Sequence, residues 1–326
     1  MHTLLKIFTQ FLYYTNALQT FIIEKASTKG SKYLSRFHFI FNPIAGNGQS
    51  RKVFSIMEAL LKEKGLAYSV SVTEHPGHAR MLAQEASSAG HSCIIAVGGD
   101  GTAREVAEAL VHTDTPMSVL PCGTGNDLVR VLHIPKEPAA FLDMLLTHAP
   151  QKIDVGSAND TIFLNVAGFG FDVDVVLNMI QYKTRFNKGM TAYLLGLARA
   201  LLRLRTLNIT VDTGEERISR RALLIAAGNG THFGGGMNVT PKADPQDGLL
   251  DICLISDVTR RTVLRVLTKF VKGKHLPLSY VTYFRAKEIT VTSEQESKLQ
   301  LDGEIMLQTP VTFRILPAAL SVIMGK

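Results

Sequence analysis

The sequence predicts a two-part α/β protein: an N-terminal doubly wound parallel sheet, then a β-rich, antiparallel, sandwich-like part, with a cleft between them. Three observations carry this. Between residues 36 and 147 short apolar runs alternate with stretches of helical period, the βαβα order that builds a parallel sheet. Beyond residue 153 strand-like segments dominate, which reads as antiparallel sheet. Glycine-rich turns follow several of the early strands, at the carboxyl ends where open parallel sheets bind ligands.

The first 25 residues place His2, Lys6, Thr9, Asn16, Thr20 and Glu24 at helical spacing, with Leu4, Phe8, Phe11, Leu18 and Ile22 on another stripe. This predicts an amphipathic helix within an N-terminal extension over 1–35. It has neither the continuous apolar core nor the cleavage site of a secretory signal. Anchoring on a membrane surface and packing on the protein's own body both suit it. The first domain is expected over 36–152: strand 37–41, helix 53–61, strand 68–72, helix 79–87, strand 93–97, helix 104–111, strand 117–120 and helix 136–147. With a boundary near Ile153, the β-rich domain spans 153–307, with strands at 161–166, 207–211, 221–227 and 249–255 and helices at 190–204 and 259–272. The final strand, 311–316, is assigned with 308–326 to the first domain. Helix 259–272 sets Arg260, Arg261, Arg265, Lys269 and Lys272 beside Val263, Leu264, Val266, Leu267 and Phe270. A solvated face over a core stripe is the simpler account; a membrane-contact helix is the sharper one.

At 326 residues and 46% hydrophobic content the chain can bury a large core. Cys93, Cys122 and Cys253 are few, odd in number and far apart, so a disulfide framework and a structural zinc are not indicated and a reducing cytoplasm is the expected setting. A net charge of +7 favours anionic partners. Scattered basic residues, no tryptophan and no aromatic-basic motif argue against nucleic acid. No run of 18 apolar residues is present, which leaves peripheral association with an anionic membrane surface, at its inner face.

The chemistry gathers in three turns. Gly98-Gly99-Asp100-Gly101-Thr102 follows strand 93–97 and leads to the helix carrying Ala103, Arg104 and Glu105. Glycines bring amide N–H groups close to a ligand, and the helix start adds unpaired donors, so the turn suits phosphate while Asp100 offers a carboxylate for Mg²⁺. Gly123-Thr124-Gly125-Asn126-Asp127 repeats the arrangement after the next strand; Asp127 is a further Mg²⁺ candidate, or with Asn126 a helix cap. Asn42-Pro43-Ile44-Ala45-Gly46 presents small residues after the first strand. The P-loop pattern, with its lysine, is absent from the whole sequence.

These residues, in this order, resemble the bacterial soluble diacylglycerol kinases, whose catalytic domain is shared with eukaryotic diacylglycerol and sphingosine kinases. The resemblance runs from Arg36 to the end. It rests on the Asn42-Pro43 turn, Thr73 with Gly77-His78-Ala79, the two glycine turns, and Leu301-Asp302-Gly303-Glu304. It implies ATP against Asn42 to Gly46, Thr73, Gly99 to Glu105 and Thr124, and a membrane lipid alcohol as acceptor. It also implies a proton acceptor among Asp302 and Glu304, with Glu304 favoured, and a second Mg²⁺ at Asp244, Asp247 and Leu249. From the residues alone Asp247-Gly248 is first a hairpin turn. Arg104 stands where members usually carry asparagine, and Asn47 where some carry lysine. The resulting expectation is an ATP- and Mg²⁺-dependent lipid kinase converting diacylglycerol to phosphatidic acid. An NAD kinase-like enzyme and a non-catalytic nucleotide-binding regulator are the alternatives; oligomeric state is left open, a homodimer included.

Overall fold

The computed structural model describes residues 37–183 and 189–325, so the expected N-terminal helix lies outside the described residues. The first part is built on strands β1 (Phe37–Phe41), β2 (Tyr68–Val72), β3 (Cys93–Gly98) and β4 (Met117–Pro121). They pair in parallel in the order β2-β1-β3-β4. The connection from β1 goes to β2 on one side and then returns to β3 on the other, so the switch point of the sheet lies between β1 and β3. Strand β3 is buried along its whole length, as a central parallel strand should be, whereas β2 at the edge is half-exposed.

Five helices flank this sheet: α1 (Gln49–Glu63), α2 (His78–Ser88), α3 (Asp100–Leu110), α4 (Asp127–Val131) and α5 (Pro138–Thr147). Helix α1 meets α5, and α2 meets α3. Helix α5 starts where Glu137 accepts the Ala140 N–H at 3.0 Å and Pro138 occupies the first turn, a position that needs no donor. The first core joins Phe39, Met57, Ile95, Leu110, Phe141 and Leu320; side chains buried this fully stabilise by roughly 1.5–3 kcal/mol each.

The second part carries β5 (Gln151–Ala158), β6 (Thr161–Phe163), β7 (Val166–Gly170), β8 (Leu207–Asp212), β9 (Arg217–Gly228), β10 (His232–Phe233), β11 (Met237–Asn238) and β12 (Leu250–Ser256). It continues with β13 (Val281–Ala286), β14 (Glu288–Ser293), β15 (Lys298–Leu301), β16 (Glu304–Gln308) and β17 (Val311–Val322). The pairs among them are antiparallel, as in β7–β9, β9–β12 and β5–β17. Strand β8 alternates buried and half-exposed residues, the signature of a sheet with one covered face. Phe163 meets Phe313 edge-on at 6.3 Å in the second core. Helices α6 (Phe171–Lys183), α7 (Gly189–Leu202) and α8 (Arg260–Val271) complete this part.

Several sequence expectations need correction. Helix α3 starts at Asp100, not Arg104, because Gly99 adopts the extended N-cap conformation and the glycine motif itself forms the first turn. The strand expected over 161–166 is broken, because the Leu164 and Asn165 amides turn away to bind Asp302. Helix α6, with the strands over 281–308, was not foreseen: α6 has a weak polar–apolar periodicity and those strands are short. Ile153 lies inside β5, whose early residues join the first core and whose last residue, Ala158, joins the second. Strand β17 does the same in reverse, with Phe313 in the second core and Leu320 in the first; near its end Val322 pairs in parallel with Met117 of β4.

Candidate active site

Three loops at the carboxyl ends of β1, β3 and β4 meet beside the switch point. The Asn42 backbone N–H donates to the Val97 carbonyl and its side-chain amide to the Thr102 hydroxyl, both at 3.0 Å. The Cys122 N–H donates to the Gly98 carbonyl at 2.8 Å, and Gly46 abuts the Cys122 carbonyl. A Cβ on Gly123 would lie 2.5 Å from the Gly99 Cα. Two glycines are therefore what lets the turns after β3 and β4 lie back to back.

Asp100 ties these turns to the next helix. Its carboxylate accepts the N–H groups of Asn126, Asp127 and Leu128 at 2.9, 3.0 and 3.4 Å, capping α4 from a different element. Burial and the nearby Asp127 carboxylate push its pKa up, against the pull of those amides. Asp127 is buried; it binds Arg130 and accepts the Gly235 N–H at 2.8 Å. Gly235 belongs to Gly234-Gly235-Gly236, between β10 and β11, so this bond links the two parts of the chain.

The opposite wall is the turn between β15 and β16. Asp302, at φ +50°, accepts the N–H groups of Leu164, Asn165 and Val166 at 2.7, 2.8 and 3.1 Å. Burial raises its pKa to about 6 despite these donors, and the charge on Asp100 adds to the rise. Glu304 is placed differently: its side chain is 51% exposed, and it receives an Arg104 guanidinium N–H at 2.6 Å. Its Oε1 sits over the phosphate-type turn, for a Cβ on Gly101 would lie 2.8 Å from it. Arg104 is itself buried and holds Glu108 with its other arm.

The remaining residues singled out in the sequence fall around this centre with distinct parts. Thr124 is exposed in its turn and Ala103 is buried in α3. Thr73, just past β2, donates its N–H to the Phe41 carbonyl at 2.9 Å. Pro43 and Ala45 flank Ile44, which is 79% exposed. The Glu105 carboxylate is taken up by the Gly77 and Ala79 amides at 2.8 and 3.0 Å, fastening the start of α2 to α3. The Asp244–Leu249 turn stands apart. Asp244 accepts the Gln246 N–H and Asp247 the Leu249 N–H, both at 3.0 Å, while Arg285 faces Asp247 at 3.5 Å.

Four features escaped sequence reasoning. The triple glycine 234–236 was visible as a run and gave the signal for a close approach. Asp154, buried in β5, accepts the Gly248 and Ala318 amides, each at 2.7 Å, and so staples the 244–249 turn to β17. Gln300 accepts the Gly303 N–H at 2.7 Å and donates to Asp172 at 3.3 Å. Asp172 is buried, and burial pushes its pKa up to about 7. For these three only the tertiary structure supplies the signal.

A switch-point cradle of backbone amides facing an acidic turn defines a nucleotide-dependent phosphotransferase, and the comparisons place it. Residues 36–158 match the diacylglycerol kinase catalytic domain, and residues 166–324 the YegS C-terminal NAD kinase beta sandwich-like domain. The chain is 36% identical over 265 residues to a probable YegS-like lipid kinase of Pseudomonas putida, covering 80% of this chain and 86% of that one. It is 32% identical over 290 residues to a diacylglycerol kinase of Mycobacterium tuberculosis, covering 86% and 93%. A crystal structure of a diacylglycerol kinase from Bacillus anthracis shares the fold, with TM-score 0.68 and 22% identity over 91% of this chain and 98% of that one. The chain belongs to the diacylglycerol kinase and YegS-like family of lipid kinases, and it is a lipid kinase.

Proposed function

We infer that the protein phosphorylates diacylglycerol to phosphatidic acid, using ATP and Mg²⁺, with Glu304 as the base. The observation that carries this is the position of Glu304, half-exposed over Gly101 in the amide cradle and held by Arg104.

The residues fit both groups. Gly99 and Gly123 carry no side chains, which lets the two turns touch and present backbone to a phosphate chain, and Gly125 lies against the Asp100 carboxylate. Asp100 feels Asp127 as a like charge, and Asp302 feels Asp100; a cation beside Asp100 would relieve that repulsion. Among the described residues no three Asp, Glu, His or Cys side chains form a closed metal cage. This suits Mg²⁺, which keeps several waters and shares phosphate oxygens. Asp100 and Asp127 are the residues that would hold it. In the Asp244–Leu249 turn Asp244 and Asp247 each accept one backbone N–H and Arg285 faces Asp247, an engagement no greater than that of Asp100 and Asp127, and these residues would hold a second cation.

When bound, ATP supplies the phosphoryl group and Mg²⁺ the positive charge that offsets the triphosphate. Phosphoryl transfer asks the protein mainly for positioning and charge management. The amides of the three turns fix the phosphates. Asp302, held by three N–H groups, sets the β15–β16 turn rigidly, and the Gln300–Gly303 bond holds its other side. Arg104 holds the Glu304 carboxylate in place over the cleft. Glu304 then takes the alcohol proton as the alcohol oxygen bonds to phosphorus and ADP leaves.

The test is transfer of labelled γ-phosphate into a panel of lipids, with NAD as a further acceptor. Label in phosphatidic acid alone supports the assignment. Label in another lipid redirects the substrate, and label in NAD, or in nothing while ATP binds, overturns it.

A further inference from the structure

Helix α8 has two faces with separate tasks. Its inner residues Val263, Val266, Leu267 and Phe270 form one wall of an apolar cavity, closed on other sides by residues such as Phe171 and Phe233. Among the described residues Asp172 is the only charged one lining that cavity. Through Gln300, Asp172 connects the cavity to the turn that bears Glu304.

The outer face does not look like an ordinary solvated one. Residues 260–274 contain six cations and no carboxylate. At 3.6 residues per turn Arg261, Arg265 and Lys272 form one outward row, and all are exposed. Leu264, 60% exposed, and Val271, 48% exposed, form an apolar strip beside that row. Arg261, Arg265 and Lys269 repeat at i, i+4, a spacing at which like charges repel and weaken a helix. Among the described residues none of the six cations is ion-paired to a carboxylate. An extended anionic surface would remove this repulsion. Exposed aliphatic residues beside the cations, with no aromatic side chain on that face, match a lipid interface better than a nucleic acid.

We propose that α8 docks the enzyme on bilayers containing anionic phospholipid. Its Arg and Lys row lies on the headgroups, Leu264 and Val271 enter the interface, and its inner face borders the cavity that admits lipid. The proposal rests on the lipid-kinase assignment for the use of the cavity; the docking surface itself stands on charge and exposure.

The experiment is co-sedimentation of the full chain with vesicles of phosphatidylcholine alone, or with about one third phosphatidylglycerol. The parent pellets with the anionic vesicles, and less so as salt rises. Arg261→Gln/Arg265→Gln/Lys272→Gln lowers the partition roughly 100-fold, about fivefold per charge removed. Leu264→Gln, which leaves the charge intact, lowers it severalfold. Equal pelleting of the triple variant and the parent overturns the proposal, as does a parent that ignores anionic vesicles. An unaffected Leu264→Gln variant overturns the lipid occupant in favour of a purely charged one. Phosphorylation of dispersed dioctanoylglycerol in detergent is measured in parallel. The proposal expects the triple variant to keep that activity, and a parent inactive on every lipid strikes the kinase assignment while the sedimentation result still stands by itself.

Discussion

The two walls of the cleft are made of different materials. On the N-terminal wall the functional groups are backbone amides, brought together because the Gly99 and Gly123 turns touch. On the C-terminal wall they are carboxylates, Asp302 and Glu304, standing on a turn fixed by four hydrogen bonds to Leu164, Asn165, Val166 and Gln300. A backbone donor can be deleted only by proline, which also fixes φ, and is otherwise lost by displacement. The half-exposed Glu304 carboxylate can be removed at one stroke with the fold left standing, whereas Asp302 clamps three amides and its loss would disturb the turn. The first wall should therefore fail through structure and the second, at Glu304, through chemistry.

The largest effect expected is at Glu304. Glu304→Gln is nearly isosteric at a half-exposed site, so melting should be little changed while kcat falls about 10²- to 10⁴-fold. A matching loss of thermal stability would erase the contrast between the walls. Next comes Gly123→Ala, which drives a methyl group into the Gly99 backbone. A cost of about 1–3 kcal/mol, read by denaturant unfolding together with weakened ATP binding, is the expected result. Gly48→Ala is the control: Gly48 has φ +86° but nothing near its missing Cβ, so it should cost only about 1 kcal/mol and spare the nucleotide.

Asp172 sharpens the comparison through pH. Its folded pKa, about 7, lies above that of an unfolded aspartate. The folded state therefore binds the extra proton, and the stability this gives is complete below the unfolded pKa and lost as pH rises towards 7. Asp172→Asn should flatten that fall, worth on the order of 2 kcal/mol between pH 5 and 8. Unfolding curves of both proteins across that range decide it. The smallest effect is expected at Arg104. Arg104→Asn removes the guanidinium that holds Glu304, so kcat should fall severalfold with ATP binding little changed; an unchanged kcat would show that Arg104 does not position Glu304.

The sequence was most legible where local patterns and function coincide. The β1 to β4 strands and the glycine turns were readable because a buried parallel strand is a continuous apolar run and a phosphate turn needs glycine. Even there Asp100 was misplaced by one element: it begins α3, and its carboxylate caps α4, an arrangement that depends on residues 26 to 28 positions away. Glu105 likewise read as a nucleotide contact, and its side chain proves to fasten α2. In the C-terminal part strands are short, α6 lacks a strong period, and pairing joins distant segments such as β5 and β17, so order along the chain says little about neighbours.

By itself the sequence determined the parallel-sheet half, the three turns and the basic stripe of α8, because periodicity, glycine placement and charge are local properties; the acidic pair Asp302 and Glu304 came only from the resemblance to the kinase family. Only the tertiary structure decided that Asp302 is a backbone clamp while Glu304 stands over Gly101 in the grip of Arg104, and that α8 covers a cavity joined through Asp172 and Gln300 to the same turn. Those outcomes depend on amides and side chains more than a hundred residues apart meeting in space, and no local pattern encodes such meetings.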